Sequence, residues 1–136
     1  MAKTQGNFLG LDYGTRYIGV AFSAGDLAEP LTTLSPVNQR ELLPLILKLI
    51  SEKQIKIVVI GLPEGRLVKN VQQFTAALKK LASVSVILSD ETLSTHEAQQ
   101  KLYELKIPWV KRKEKEHEIA ACLILQDYLD HLKNSC

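Results

Sequence analysis

The chain has 136 residues, which fits one domain with an ordinary core. Apolar residues at 46% and charged residues at 24% give a globular balance and exclude a disordered chain, and the net charge of +2 is too small to imply a partner by itself. The longest apolar runs, such as Leu42 to Leu47, are far too short to span a bilayer. Cys122 and Cys136 form no CxxC pair, and "MAKTQGN" has no apolar signal region, so a cytoplasmic setting without membrane attachment is expected.

Three short strands are predicted first, at Phe8–Asp12, Tyr17–Phe22 and Glu29–Leu34, with short connections that favour antiparallel pairing. Asn38 and Glu41 stand in capping-box position for a helix to about Lys53, and Pro44 inside it predicts a kink or a later start. "IKIVVIGLP" is a continuous apolar run, as expected of a strand buried on both faces. Leu67, Val71, Phe74, Leu78 and Leu81 recur at alternating spacings of four and three, predicting an amphipathic helix over Arg66–Ala82. "VSVIL" is a further strand. Ser94 and Glu97 form a capping box for a helix through Leu105. The charged run "VKRKEKEH" then precedes a last helix to about Leu132, with Cys122, Leu125, Leu129 and Leu132 as its apolar face. The order βββ-αβ-αβ-α-α predicts an α/β sheet in which three antiparallel strands are followed by two parallel ones.

Asp12 is the anomaly. It sits inside the first strand, where an apolar residue is expected, and a buried unpaired carboxylate is costly. In such sheets sites lie beyond the carboxyl ends of the strands, and acids follow several of those ends: Asp12, Glu64 after "GLP", and Asp90-Glu91 after "VILS". Acids converging from separate segments make a hard-cation site, and a divalent metal would compensate Asp12. The plainer readings are that Asp12 accepts hydrogen bonds from its own turn and that Asp90-Glu91 caps a strand end.

Other motifs fail on inspection. Gly14 and Gly19 have P-loop spacing, but Val20 replaces the lysine and a strand follows. "AFSAG" lacks the first glycine of a nucleophile elbow. His96-Glu97 and His117-Glu118 are not HExxH, because Gln100 and Ala121 fill the second histidine positions; His96 and His131 read as surface or capping residues. The run Lys111, Arg112, Lys113, Glu114, Lys115 and Glu116 follows Trp109. Alone it is a solvated face; beside a metal-carboxylate centre it could contact phosphates, as could Arg16, Arg66 and Lys69. A metal site flanked by cations points to phosphodiester hydrolysis.

The segments "LGLDYGTRYIGVAFS", "IVVIGLP", "SDETLSTHEA" and "AACLILQDYLD" occur in an order and spacing that resemble the YqgF family, also called RuvX, of RuvC-like Holliday junction resolvases and pre-16S ribosomal RNA nucleases. The resemblance spans most of the chain. It implies a single ribonuclease H-like domain over residues 1–136, with a five-stranded mixed sheet and a Mg²⁺ or Mn²⁺ nuclease site. It further implies nucleic acid, either a ribosomal RNA precursor or branched DNA, as the partner of a monomer or homodimer. Asp12 matches the family's first-strand acid and Glu91 the acid of its "DET" element. Two features depart from the pattern. "EGRLVKN" is shorter than the family loop, and His117 stands where the family has an aspartate opening the last helix. The expected catalytic and metal-binding set is therefore Asp12, Glu91 and His117, with Glu118 or Glu64 as alternatives. Imidazole binds Mg²⁺ less well than carboxylate, which leaves a non-catalytic nucleic-acid-binding relative as the second reading. "LGLDYGT" also resembles the first phosphate motif of actin-like ATPases, but those need a second domain for which 136 residues leave no room.

Overall fold

The computed structural model describes residues 6–14, 16–35, 39–61, 67–89 and 109–134. Five strands form one sheet: β1 (Asn7–Tyr13), β2 (Ile18–Ser23), β3 (Ala28–Leu34), β4 (Ile55–Gly61) and β5 (Ser85–Ser89). Three helices accompany them: α1 (Gln39–Lys53), α2 (Leu67–Leu81) and α3 (Trp109–Asn134). The strand order is β3-β2-β1-β4-β5. β3, β2 and β1 pair antiparallel, and β1, β4 and β5 pair parallel, as the sequence predicts. The predicted helix through Leu105 lies outside the described residues.

The alternation of β1 divides the protein into two cores. Leu9, Leu11 and Tyr13 join Val20, Val58 and Ile60 beneath α1 and α2, which contribute Leu42, Ile46, Val71, Phe74 and Leu78. Phe8 joins Ala21 and Val59 on the opposite face, beneath Ala121, Ile124, Leu125 and Leu129 of α3. Leu125 is fully buried, so its truncation to alanine would cost about 2–5 kcal/mol.

α1 runs unbroken from Gln39 with Pro44 inside it, so the later start that Pro44 predicted is not seen. It ends where Gln54 adopts a left-handed φ of 52°. The Asn7 side chain donates to the Lys53 carbonyl at 2.6 Å, satisfying an orphan acceptor of the last turn and tying α1 to the start of β1.

α3 departs most from expectation. It begins at Trp109, so the charged run forms its first turns rather than a separate segment. Lysine, arginine and glutamate are strong helix formers, and that propensity extends the helix upstream of its apolar face. Among the described residues, no helix is long and apolar enough to cross a membrane.

Candidate active site

One register row crosses all five strands. Thr33 of β3 pairs with Gly19 of β2, and Gly19 with Asp12 of β1. Asp12 pairs with Gly61 of β4, and Gly61 with Ser89 of β5. On β1, β4 and β5 the row lies at or next to the carboxyl end. Asp12 falls on the face of β1 covered by α3, because Leu11 and Tyr13 take the other. Its side chain is 31% exposed, so the carboxylate is not the fully buried charge that its strand position predicts. The sheet edge supplies water, and α3 supplies a partner.

That partner is His117. Its Nδ1 lies 3.3 Å from Asp12 Oδ2. The pair is set by backbone packing: a Cβ built on Gly19 would come within 1.8 Å of the His117 carbonyl oxygen and 2.9 Å of the Glu118 nitrogen. The missing side chain lets α3 rest its backbone on β2, directly beside Asp12. Gly10, two residues before Asp12, does the same under Ala121 and Leu125. Hydrogen bonding to Asp12 raises the His117 pKa above its ordinary value, against the opposing effect of partial burial, with the nearby Asp12 and Glu116 charges adding to the rise.

The next residue turns the other way. Glu118 is 8% exposed and accepts a hydrogen bond from the Thr33 hydroxyl, Oγ1 to Oε2, at 3.0 Å. It therefore reaches toward β3, not toward Asp12. Tyr17 closes the site at the β1–β2 turn, where the Tyr17 carbonyl accepts a hydrogen bond from the Gly14 N–H at 3.1 Å. The residue is 43% exposed, and its ring lies 5.5 Å from the His117 ring, tilted by 37°. Arg16, in the same turn, is exposed, as is Lys69 in the first turn of α2.

Of the residues that the sequence singles out, the fold thus brings Asp12 and His117 together and leads Glu118 away. Lys111, Arg112 and Lys113 belong to α3, one to two turns before His117. Glu64, Arg66, Asp90, Glu91 and His96 lie outside the described residues. His131 is on the exposed end of α3, near the Asp127 carbonyl at 2.8 Å. Tyr17, Gly19 and Thr33 escape sequence reasoning. Only Gly19 carries a signal, since glycine inside an apolar strand marks a close backbone approach.

Asp12 and His117 offer one carboxylate and one imidazole, each about one-third exposed and facing the other. Such a pair can share a proton as an ion pair. It also fits a divalent ion that completes its shell with water and phosphate oxygens. Among the described residues, no three His, Cys, Asp or Glu side chains gather as a metal cluster.

Comparison with known proteins agrees with this frame. The crystal structure of the fowlpox virus Holliday junction resolvase and a structure of T. thermophilus RuvC in complex with a Holliday junction substrate superpose with TM-scores of 0.65 and 0.62. Each alignment covers 93% of this chain, with 99% of the viral chain and 96% of RuvC; identities are 12% and 14%, so they establish the ribonuclease H-like fold alone. At the sequence level, the chain is 39% identical over 135 residues to a Thermoanaerobacter pseudethanolicus protein named "Putative pre-16S rRNA nuclease", covering 93% of this chain and 97% of that one. A Roseiflexus protein of the same name is 38% identical, covering 96% and 98%. The RuvX family model, described as Holliday junction resolvase, matches residues 6–131, and the chain belongs to that family.

Proposed function

We propose that the protein is a metal-dependent nuclease that hydrolyses phosphodiester bonds in structured nucleic acid. Its substrates are the ends of precursor 16S ribosomal RNA, four-way DNA junctions, or both. The observation that carries this reading is the meeting of Asp12 and His117 on the carboxyl edge of a RuvC-like sheet. Family membership and the names of the relatives support the substrate class.

Asp12, His117 and Glu91 would hold Mg²⁺ or Mn²⁺. When bound, the ion would supply an activated water and stabilise the leaving oxygen. The chain's own residues do the rest. Asp12 provides fixed negative charge at an edge open to solvent. His117 binds only as neutral imidazole, so it must first release the proton that Asp12 favours. Arg16, Arg66, Lys69, Lys111, Arg112 and Lys113 are the cations that would attract the phosphate backbone. Tyr17 presents an exposed ring beside the reacting centre.

The test is cleavage of end-labelled precursor ribosomal RNA and of a synthetic four-way junction, with Mg²⁺ or Mn²⁺. Asp12→Asn exchanges a charged donor for a near-isosteric neutral one and should abolish cleavage while leaving the fold intact. Undiminished cleavage by the folded variant would overturn the metal-site reading.

One observation favours the second reading, a nucleic-acid-binding relative without catalysis. The Asp12 carboxylate already has a partner in His117, 3.3 Å away, and that contact favours the protonated imidazole, the form that cannot bind a metal. That reading requires wild-type protein to bind these nucleic acids and to cleave none of them with either metal.

A further inference from the structure

We infer that Thr33 and Glu118 act as a positioning pair that holds His117 against Asp12. The inference deepens the nuclease reading and rests on it for the metal and kinetic parts of its test, whereas the ring contact tests the positioning alone.

The register row carries the argument. Gly19 lies between Asp12 on one neighbouring strand and Thr33 on the other. The backbone of α3 rests on Gly19 at the peptide linking His117 and Glu118. From that point the two side chains part: His117 reaches Asp12, and Glu118 reaches Thr33. Consecutive helix residues diverge by about 100°, so neighbouring side chains naturally straddle a support beneath the backbone between them. The motion that would lift His117 from Asp12 is a roll of α3 about its own axis, and the Thr33–Glu118 hydrogen bond opposes it from the far side.

Direction explains why a hydrogen-bond acceptor serves here. Glu118 is 8% exposed, and a carboxylate so placed is costly without a donor. A charge-assisted hydrogen bond offsets that cost and is directional, whereas an apolar side chain would pack without fixing the helix's rotation. A second tether fixes the other end. Gln126 Oε1 accepts a hydrogen bond from the Ala28 N–H at 2.8 Å, at the start of the same strand. α3 is thus tied to β3 at both ends of the segment that crosses the sheet, and Glu118 is the tether beside the site.

Thr33→Val keeps the shape and removes the hydroxyl; Thr33→Ser keeps the hydroxyl; Glu118→Gln keeps an acceptor and removes the charge. Two readouts need no turnover: the nuclear Overhauser contact between the Tyr17 and His117 rings, and Mn²⁺ affinity by calorimetry. In Thr33→Val the ring contact should disappear and Mn²⁺ affinity should fall by about 10-fold, the lower end of what the loss of a group hydrogen-bonded directly to a metal ligand costs. Its kcat should fall while KM for nucleic acid holds. Thr33→Ser and Glu118→Gln should stay close to wild type. A Thr33→Val protein that melts earlier yet keeps the ring contact and Mn²⁺ affinity would reduce the pair to ordinary stability and overturn the inference. Loss of Mn²⁺ affinity in Glu118→Gln with the ring contact intact would also overturn it, by making Glu118 a ligand. Should Thr33→Val not fold, Thr33→Ala, which also removes the hydroxyl, decides by the same criteria. If wild type cleaves nothing, the nuclease reading fails while the ring contact still decides the positioning.

Discussion

The carbonyl oxygen of His117 occupies the space that a side chain on Gly19 would need. A Cβ there would stand 1.8 Å from it, and because both contacting groups are helix backbone, neither can swing aside. Gly19→Ala must therefore push α3 off β2. We expect a loss of about 1–3 kcal/mol in urea unfolding, as for other overpacked sites. The displacement should also part His117 from Asp12. Histidine titration by NMR checks this, with the His117 pKa falling back toward its ordinary value. A destabilised variant with an unmoved His117 titration would mean that Gly19 matters for packing alone.

The His117–Asp12 pair makes stability depend on pH in a defined direction. The folded-state pKa of His117 is raised above the unfolded value of about 6.5. The folded state therefore holds this proton more tightly than the unfolded chain does. The resulting stabilisation is fully present below the unfolded pKa and is lost as pH rises through the folded one. With side chains 35% and 31% exposed, the pair is screened, and its contribution is on the order of 0.2–1 kcal/mol. Urea unfolding from pH 6 to pH 9 should show wild type losing this increment relative to Asp12→Asn. Parallel curves would remove the pair from the stability of the fold.

If His117 is a metal ligand as proposed, protons and metal compete for its imidazole. Cleavage by wild type should fall as pH drops through the raised His117 pKa, above the range in which carboxylates titrate. Nitrogen also favours Mn²⁺ over Mg²⁺. His117→Asp should raise the Mg²⁺-dependent rate by about tenfold, the lower end of what altered metal surroundings produce, and should move the acid limb of the profile lower. The measurement is a rate–pH series with both metals. Equal Mg²⁺ rates and an unmoved acid limb would place His117 outside the metal site.

The first turns of α3 bring Lys111, Arg112 and Lys113 onto the helix that carries His117. Replacing all three with alanine should weaken binding across nucleic-acid sequences alike. Each lost phosphate contact should reduce the log–log salt slope by roughly 0.7 to 0.9. Fluorescence anisotropy titrations at several salt concentrations give that slope. If it does not change, the run is a solvated helix face.

Much of the fold is legible because local patterning and sheet topology agree. Continuous apolar runs mark β4 and β5, while short connections impose antiparallel pairing on β1 to β3. Asp12 is legible as a carboxylate on a strand, but its environment is not. Burial of a strand residue depends on how far the covering helix extends, and α3 leaves the carboxyl edge partly open. The start of α3 is hidden for another reason. A run of lysines, arginine and glutamates has helix propensity but no apolar stripe, so periodicity alone cannot find it. The contacts of His117 with Asp12 and of Glu118 with Thr33 span 105 and 85 residues, and no local pattern encodes such distances.

The separation of 105 residues between Asp12 and His117 also fixes an order of events. Strands β1 to β3 are neighbours in sequence and can pair as soon as they exist, since nearby segments close their loops fastest. The contact between Asp12 and His117 cannot. It waits for α3, whose docking also covers Phe8, Ala21 and Val59. During synthesis, a chain whose α3 has not yet emerged carries a sheet on which Phe8, Ala21 and Val59 lack the α3 residues that cover them. Such a chain is prone to stick to others, and its proposed site is not yet assembled. Burial of that face and the meeting of Asp12 with His117 are one step, so the proposed site arrives together with completion of the fold.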